Sequence, residues 1–257
     1  MNDRVRMFGI DFHSFTMSQT VSRLLQWSSE PEYGCRYVVT PNVDHVVKFQ
    51  TDAALREAYQ DASLVTVDGK PVLWASRLLG KRLPALVPGS DLCPALFDAA
   101  KVAPELRVFL LGAAEGVAVR AADTIAKRWP WIKVVGCFSP PMGFNALSAD
   151  NPAVVEMINQ AKPDILLVGL GAPKQELWVH AMQHQLQVKV ALCVGATIDF
   201  LAGEKNRAPK LMRTLGLEWL HRMLSEPKRL VGRYWHDAKV FPKLVFIEWI
   251  AQFQGDA

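Results

Sequence analysis

The chain predicts an α/β fold: a Rossmann-like, mostly parallel sheet with helices on both faces, followed by a basic helical C-terminal appendage. Three observations carry this prediction. Short aliphatic and β-branched runs alternate with helical periodicity up to residue 203. One run, Ile165-Leu166-Leu167-Val168, ends in Gly169-Leu170-Gly171 and passes at once into Pro173-Lys174-Gln175-Glu176. That is the pattern of a buried parallel strand turning into a helix. Beyond Gly203 the alternation stops, and tryptophans interleave with basic residues. A chain of 257 residues with 50% apolar content can bury one large α/β domain and carry an addition. We therefore divide it into residues 1–203 and a C-terminal appendage, 204–257.

Strands are predicted at Arg36–Thr40, Leu64–Val67, Arg107–Leu111, Ile132–Phe138, Asp164–Leu170 and Val188–Val194, each short and rich in β-branched or aliphatic residues. Helical patterns separate them, at Thr16–Ser29, Asp44–Asp61, Lys70–Leu79, Asp91–Val102, Glu115–Trp129, Asn151–Ala161 and Lys174–Leu186. Pro130 stands where the fifth of these must stop. Strands joined through helices of this length are βαβ units, and their sheet is parallel. In the appendage, Leu215–Leu224 and Val240–Phe253 read as helices, with Pro227 and Pro242 as breaks. No internal repeat or low-complexity linker interrupts the chain.

Several classes of function are disfavoured by composition. The cysteines Cys35, Cys93, Cys137 and Cys193 are scattered, with no C-x-x-C pair and no clustered histidines, so reduced thiols are expected rather than a zinc site. No D-x-D occurs, which argues against a divalent metal bridging a diphosphate. No run approaches the roughly 18 apolar residues of a spanning helix, and the N-terminus lacks a signal-peptide core. A cytoplasmic protein is expected. The net charge of +4 is unevenly placed: residues 1–203 are balanced, whereas 204–243 carry +6. Such a segment implies an anionic partner, whether phosphate, membrane surface or nucleic acid. Its Trp219, Trp235 and Trp249 suit an interfacial position on an anionic bilayer, although a solvated basic face with packed aromatics fits too.

Ligands of doubly wound sheets sit beyond the carboxyl ends of the strands. The residues to search are therefore Thr40-Pro41-Asn42, Asp68-Gly69, Gly112-Ala113-Ala114, Gly169–Glu176 and Gly195–Asp199. The Gly169–Gly171 loop is close to a dinucleotide fingerprint, but Lys174 stands at the third glycine. No acidic residue closes the next strand, because Val188–Val194 runs into Gly195. A phosphate-bearing ligand other than a nicotinamide dinucleotide is the better expectation. At its strand end, Asp68 can be a general base, a metal ligand or a helix N-cap. Thr40 and Asn42 offer short polar contacts or simply a turn around Pro41. Gln175 and Glu176 begin a helix, where a glutamate also gains from the dipole. Asp199 lies close to Gly195. His45, His180 and His184 show no partner spacing and receive no role.

Taken together, these segments resemble one family. Thr40-Pro41-Asn42, Val67-Asp68-Gly69, Trp74-Ala75-Ser76-Arg77, Gly89-Ser90-Asp91-Leu92, Gly169–Glu176, Gly195–Gly203 with Arg207-Ala208-Pro209, and Gly216-Leu217-Glu218-Trp219-Leu220-His221-Arg222 are similar, in order, to the WecG/TagA/CpsF glycosyltransferases. The resemblance implies an inverting, metal-independent transfer of a hexose or N-acetylhexosamine. The donor is a UDP-sugar and the acceptor an undecaprenyl-diphosphate-linked sugar, in surface-polysaccharide assembly at the inner face of the plasma membrane. It implies Asp68 as catalytic base, with Thr40, Asn42 and Gln175 as active-site residues. Appendage arginines close over the diphosphate; Arg222 and Arg229 match by position, and Arg233 stands beside Gly232 at a third. Gly69, Asp91, Gly112, Gly171, Lys174, Glu176, Gly195, Asp199 and Arg207 complete the expected substrate contacts. No cofactor or metal is expected. The resemblance also implies contact with the anionic membrane surface and room for a homo-oligomer, with no nucleic acid partner. On this reading Pro173-Lys174-Gln175-Glu176 forms one wall of the sugar pocket. The competing readings are a nicotinamide-dependent oxidoreductase using Gly169–Gly171 and a basic nucleic-acid-binding module.

Overall fold

The computed structural model describes residues 4–31, 34–102 and 105–254. An antiparallel hairpin, β1 (Arg4–Met7) and β2 (Ile10–His13), precedes the main sheet and was not foreseen from the sequence. Six parallel strands follow in chain order: β3 (Arg36–Val39), β4 (Leu64–Val65), β5 (Leu106–Gly112), β6 (Ile132–Phe138), β7 (Ile165–Gly169) and β8 (Val190–Cys193). Their order across the sheet is β4-β3-β8-β7-β5-β6. The chain runs from β3 out to β4, then crosses to β5 on the other half, so the strand ends part around β8 and β7. The expected mostly parallel sheet is what forms.

Alternate strand residues build two cores, as the two-residue period of a strand requires. Tyr37, Val39, Phe109, Leu111, Leu166, Val168, Ala191 and Cys193 face one side. There they meet α2 (Val43–Phe49), α3 (Ala53–Gln60), α4 (Lys70–Leu78), α7 (Asn151–Ala161) and α8 (Lys174–Met182). Val38, Val108, Leu110, Ile165, Leu167, Val190 and Leu192 face the other side. Here the cover is α1 (Met17–Ser28), α5 (Gly89–Ala99), α6 (Val117–Arg128) and α9 (Thr197–Leu201). Ile165–Val168 reads as unbroken apolar sequence because both of its faces are covered and both of its edges are paired, to β5 and β8.

Several expected elements differ at their ends, β4 stopping at Val65 and α8 at Met182, and two differ in kind. The helix expected over Asp44–Asp61 is two helices, because the Asp52 side chain accepts the Leu55 N–H at 3.0 Å and starts α3 afresh. After α10 (Lys210–Leu215) and α11 (Glu218–Ser225), a single helix, α12, runs from Pro227 to Gln254 straight through Pro242. Proline there removes the N–H that Ala238 would accept from, at a cost of about 3 kcal/mol. Contacts beyond it hold the helix. The Glu248 carboxylate accepts the Phe8 N–H at 3.2 Å and pairs with Lys81 at 2.6 Å, and Gln252 donates to the Leu79 carbonyl at 2.9 Å. Phe241, one residue before the proline, is buried in the first core. The basic segment is therefore fastened along the α/β body.

The ends of β5 and β7 meet where Gly112, at φ +121°, leaves no room for a side chain: a Cβ would stand 2.5 Å from the Gly169 carbonyl. Gly112→Ala should lower stability by about 2 kcal/mol or more. Gly34→Ala, at a position with open space, should stay within about 0.5 kcal/mol of the parent. Denaturant midpoints at constant slope measure both.

Candidate active site

A cavity of about 450 Å³ lies beyond the carboxyl ends of β3, β4 and β8, with α10, α11 and α12 closing over it. Asn42, Asp68, Gly69, Asp91, Arg207, Arg222 and Arg233, all anticipated from the sequence, line it. Asp68 sits on the chain that continues β4, tied down by its own N–H to the Pro41 carbonyl at 2.9 Å. Gly69, at φ +89°, then turns the backbone into α4 and is itself the N-cap. The Asp68 carboxylate makes no capping bond, so capping does not account for it; it faces the cavity. Surrounding protein raises its pKa to about 6, and Glu218 pushes in the same direction. Arg222 and His45 pull it down, while Asp91 adds to the rise.

Behind the cavity, a chain of buried polar groups joins the strand-end loops. Asn42 N-caps α2, and its side chain and backbone exchange contacts with His45. The other ring nitrogen of His45 lies 3.3 Å from Glu176 Oε1, which also accepts from Gln175 Nε2 at 2.8 Å. Gln175 Oε1 in turn accepts the Gly195 N–H at 3.0 Å. Thr40 donates to the Cys193 carbonyl at 3.3 Å, fastening β3 to β8. Gln175 and Glu176 are buried and turn into this chain instead of forming a wall of the cavity. Thr40 likewise does not reach the lining, and Gly195 meets it only through its neighbours Val194 and Ala196.

Other expected contacts lie further off. Gly112 serves the close approach of β5 to β7, and Gly171 and Lys174 are exposed at the start of α8. Asp199, its pKa raised by burial, lies 3.9 Å from Lys205, while its neighbours Thr197 and Phe200 line the cavity. Arg229 is exposed and pairs with Glu226 at 2.7 Å.

Three of the arginines that face the cavity, Arg207, Arg213 and Arg233, lie beside acids of the α/β body. Asp91 binds Arg207 at 2.6 Å and lies 3.7 Å from Arg213; Arg207 also approaches Glu218 at 4.0 Å. Arg233 lies 3.6 Å from Asp44 and over the Tyr234 ring at 5.2 Å. Beside it, Asp237 is buried, with its pKa raised to about 6 by burial and by Asp44. Sequence reasoning missed Asp44, His45, Arg213, Glu218, Trp219, Tyr234 and Asp237. The signals for Asp44 and His45 were their places two and three residues after Asn42; the others reach the cavity only when α10–α12 fold back. Among the described residues, no group of three or more His, Cys, Asp or Glu side chains is placed to hold a metal, and no helix is long and apolar enough to cross a membrane.

A charged, strand-end cavity lined by Asp68, which caps no helix, suits group transfer from a phosphorylated donor, and comparison with known proteins agrees. An enzyme of Staphylococcus aureus (strain MRSA252), an N-acetylglucosaminyldiphosphoundecaprenol N-acetyl-beta-D-mannosaminyltransferase, is 34% identical over 230 residues, covering 90% of this chain and 87% of its own. The protein of the same description in strain MW2 is 33% identical over the same shares. The Glycosyl transferase WecG/TagA/CpsF family profile matches residues 5–255. The chain belongs to the WecG/TagA/CpsF glycosyltransferase family.

Proposed function

We propose that this glycosyltransferase moves a hexose or N-acetylhexosamine from a UDP-sugar to an undecaprenyl-diphosphate-linked sugar, with inversion and without a metal ion. The Asp68 carboxylate, uncapped and facing a cavity ringed by arginines, is the observation that carries the reading. The Staphylococcus enzymes, whose names specify a diphosphoundecaprenol-linked acceptor, support the substrate class.

The acceptor hydroxyl attacks the anomeric carbon as Asp68 takes its proton, and UDP departs from the opposite face with the bonding pair. A pKa of about 6 suits the base: it is mostly ionised at neutral pH yet more basic than an exposed aspartate. Arg207, Arg213, Arg222 and Arg233 offer donors to the departing diphosphate. Thr40, Gln175 and Glu176 act from behind by fixing the loops that carry Asn42 and Gly195. Exposed Trp219, Leu224, Val231 and Trp235, among Lys228, Arg229 and Lys239, form the surface that meets an anionic membrane at its inner face.

Asp68→Asn should reduce transfer about 10²–10⁴-fold while UDP still raises the melting temperature. The variant should also be more stable at pH 7 by about 1–3 kcal/mol, since it removes a carboxylate whose charged form the fold disfavours. With the folded pKa above the unfolded one, that cost is present above about pH 6 and gone below about pH 4, so the gain should vanish in acid. Unchanged turnover by Asp68→Asn would remove it as the base. For the parent, kcat/KM should fall as pH drops through about 6, and Arg222→Gln should move that limb to higher pH. Trp235→Glu should weaken sedimentation with phosphatidylglycerol vesicles several-fold while leaving vesicle-free UDP binding intact.

A further inference from the structure

A second hollow, of about 600 Å³, opens beside the cavity that holds Asp68. Helix α4 gives it Pro71, Trp74 and Leu78; α12 gives it Phe241, Phe246 and Trp249. Every residue lining it is apolar or aromatic. Leu78 is 68% and Phe246 58% exposed, and Trp74 and Trp249 are each more than 40% exposed. Open apolar surface of this kind is unfavourable in water and marks a binding surface. Its position makes it informative: Pro71, Phe241 and Pro242 line both the hollow and the catalytic cavity. A ring of arginines thus gives way, across one shared lip, to a trough without a charged lining residue. That sequence of surfaces fits an amphiphile with a diphosphate head and a hydrocarbon tail.

We infer that this trough between α4 and α12 holds the first isoprene units of the acceptor's polyprenyl chain, next to its diphosphate. The inference rests on the proposed acceptor class and goes beyond it, because it gives the chain a place on the protein. An acceptor whose sugar hydroxyl reaches Asp68 must send its chain out of the cavity, and the Pro71–Phe241–Pro242 lip is an apolar way out. Continuity with the catalytic cavity favours one chain over a bilayer surface, which the exposed Trp235 and Leu224 fit better. A second copy of the protein fits less well. Exposed Arg77 and Lys243 adjoin lining residues, and a twofold contact there would bring like charges together.

The test is photo-crosslinking of the full chain with a prenyl diphosphate carrying a benzophenone near its third isoprene. Label is expected in peptides spanning 70–78 and 241–249, displaced by untagged prenyl diphosphate but not by phosphatidylglycerol vesicles. Leu78→Glu and Phe246→Glu should each cut labelling about tenfold or more, with far-UV circular dichroism and UDP-induced stabilisation unchanged. If either glutamate variant unfolds, Leu78→Ser and Phe246→Ser carry the same test. In turnover, the ratio of kcat/KM for a polyprenyl acceptor to that for a short alkyl-chain acceptor should fall about tenfold. Label elsewhere, label displaced equally by vesicles, or variants that only abolish self-association would overturn the inference. A parent protein that transfers sugar to neither acceptor would defeat the functional reading, while the crosslinking result still decides the trough.

Discussion

The geometry of the site depends on one buried carboxylate. Glu176 is shut off from solvent at the first turn of α8, and an unpaired charge there would be costly. Its Oε1 is met by His45 and by Gln175, and through them the loops after β3, β7 and β8 are joined. The groups that meet Glu176 Oε1 also cap α2 and fix the Gly195 amide, while Oε2 is buried without a hydrogen-bond partner among the described residues. Losing any one leaves buried polar groups unmatched in the others, so the loops hold their relative positions together. Asp68 is set against this frame by its own N–H to the Pro41 carbonyl.

On that frame the charges are arranged in opposition. Asp91 gathers Arg207 and Arg213, Asp44 gathers Lys48 and Arg233, and Glu218 lies 4.0 Å from Arg207 while opposing the ionisation of Asp68. The +6 of residues 204–243 is therefore partly balanced by acids of the preceding body. Two consequences follow. Arg207, Arg213 and Arg233 are already placed at the cavity and need not be recruited from solvent, as the proposed stabilisation of a departing diphosphate requires. The acids that hold them also raise the basicity of Asp68, because Glu218 and Asp91 both oppose its ionisation.

Much of this was legible in the sequence, for identifiable reasons. Buried parallel strands announce themselves as apolar runs, so β7 was plain from Ile165–Val168. Asp68 and Asn42 stand at strand ends, where ligands of such sheets collect, and the structure distinguishes their local places: Asn42 caps a helix, Asp68 does not. The fingerprint-like loop misled in one respect. Its Gln175 and Glu176 have the composition of a binding loop, yet they face inward, and nothing in the local pattern distinguishes a buried polar residue from a pocket residue. Long-range contacts were illegible too: Asp44 with Arg233, and Phe8 with Glu248, are set by the return of α12 across the body.

That return explains why a helix tolerates Pro242. The segment before it carries Arg233, Tyr234 and Asp237 to the cavity, while the segment after it carries Phe246 and Trp249 along α4. Proline marks the change from one surface to the other, at the shared lip. With no N–H to give, it leaves the Ala238 carbonyl without its helical donor beside the polar cavity. Its ring presents only carbon to the apolar side. The anchors at Glu248 and Gln252 offset the lost bond, so the helix continues. One continuous element thus spans both environments, and the relative placement of charged cavity and apolar trough is fixed by the helix itself.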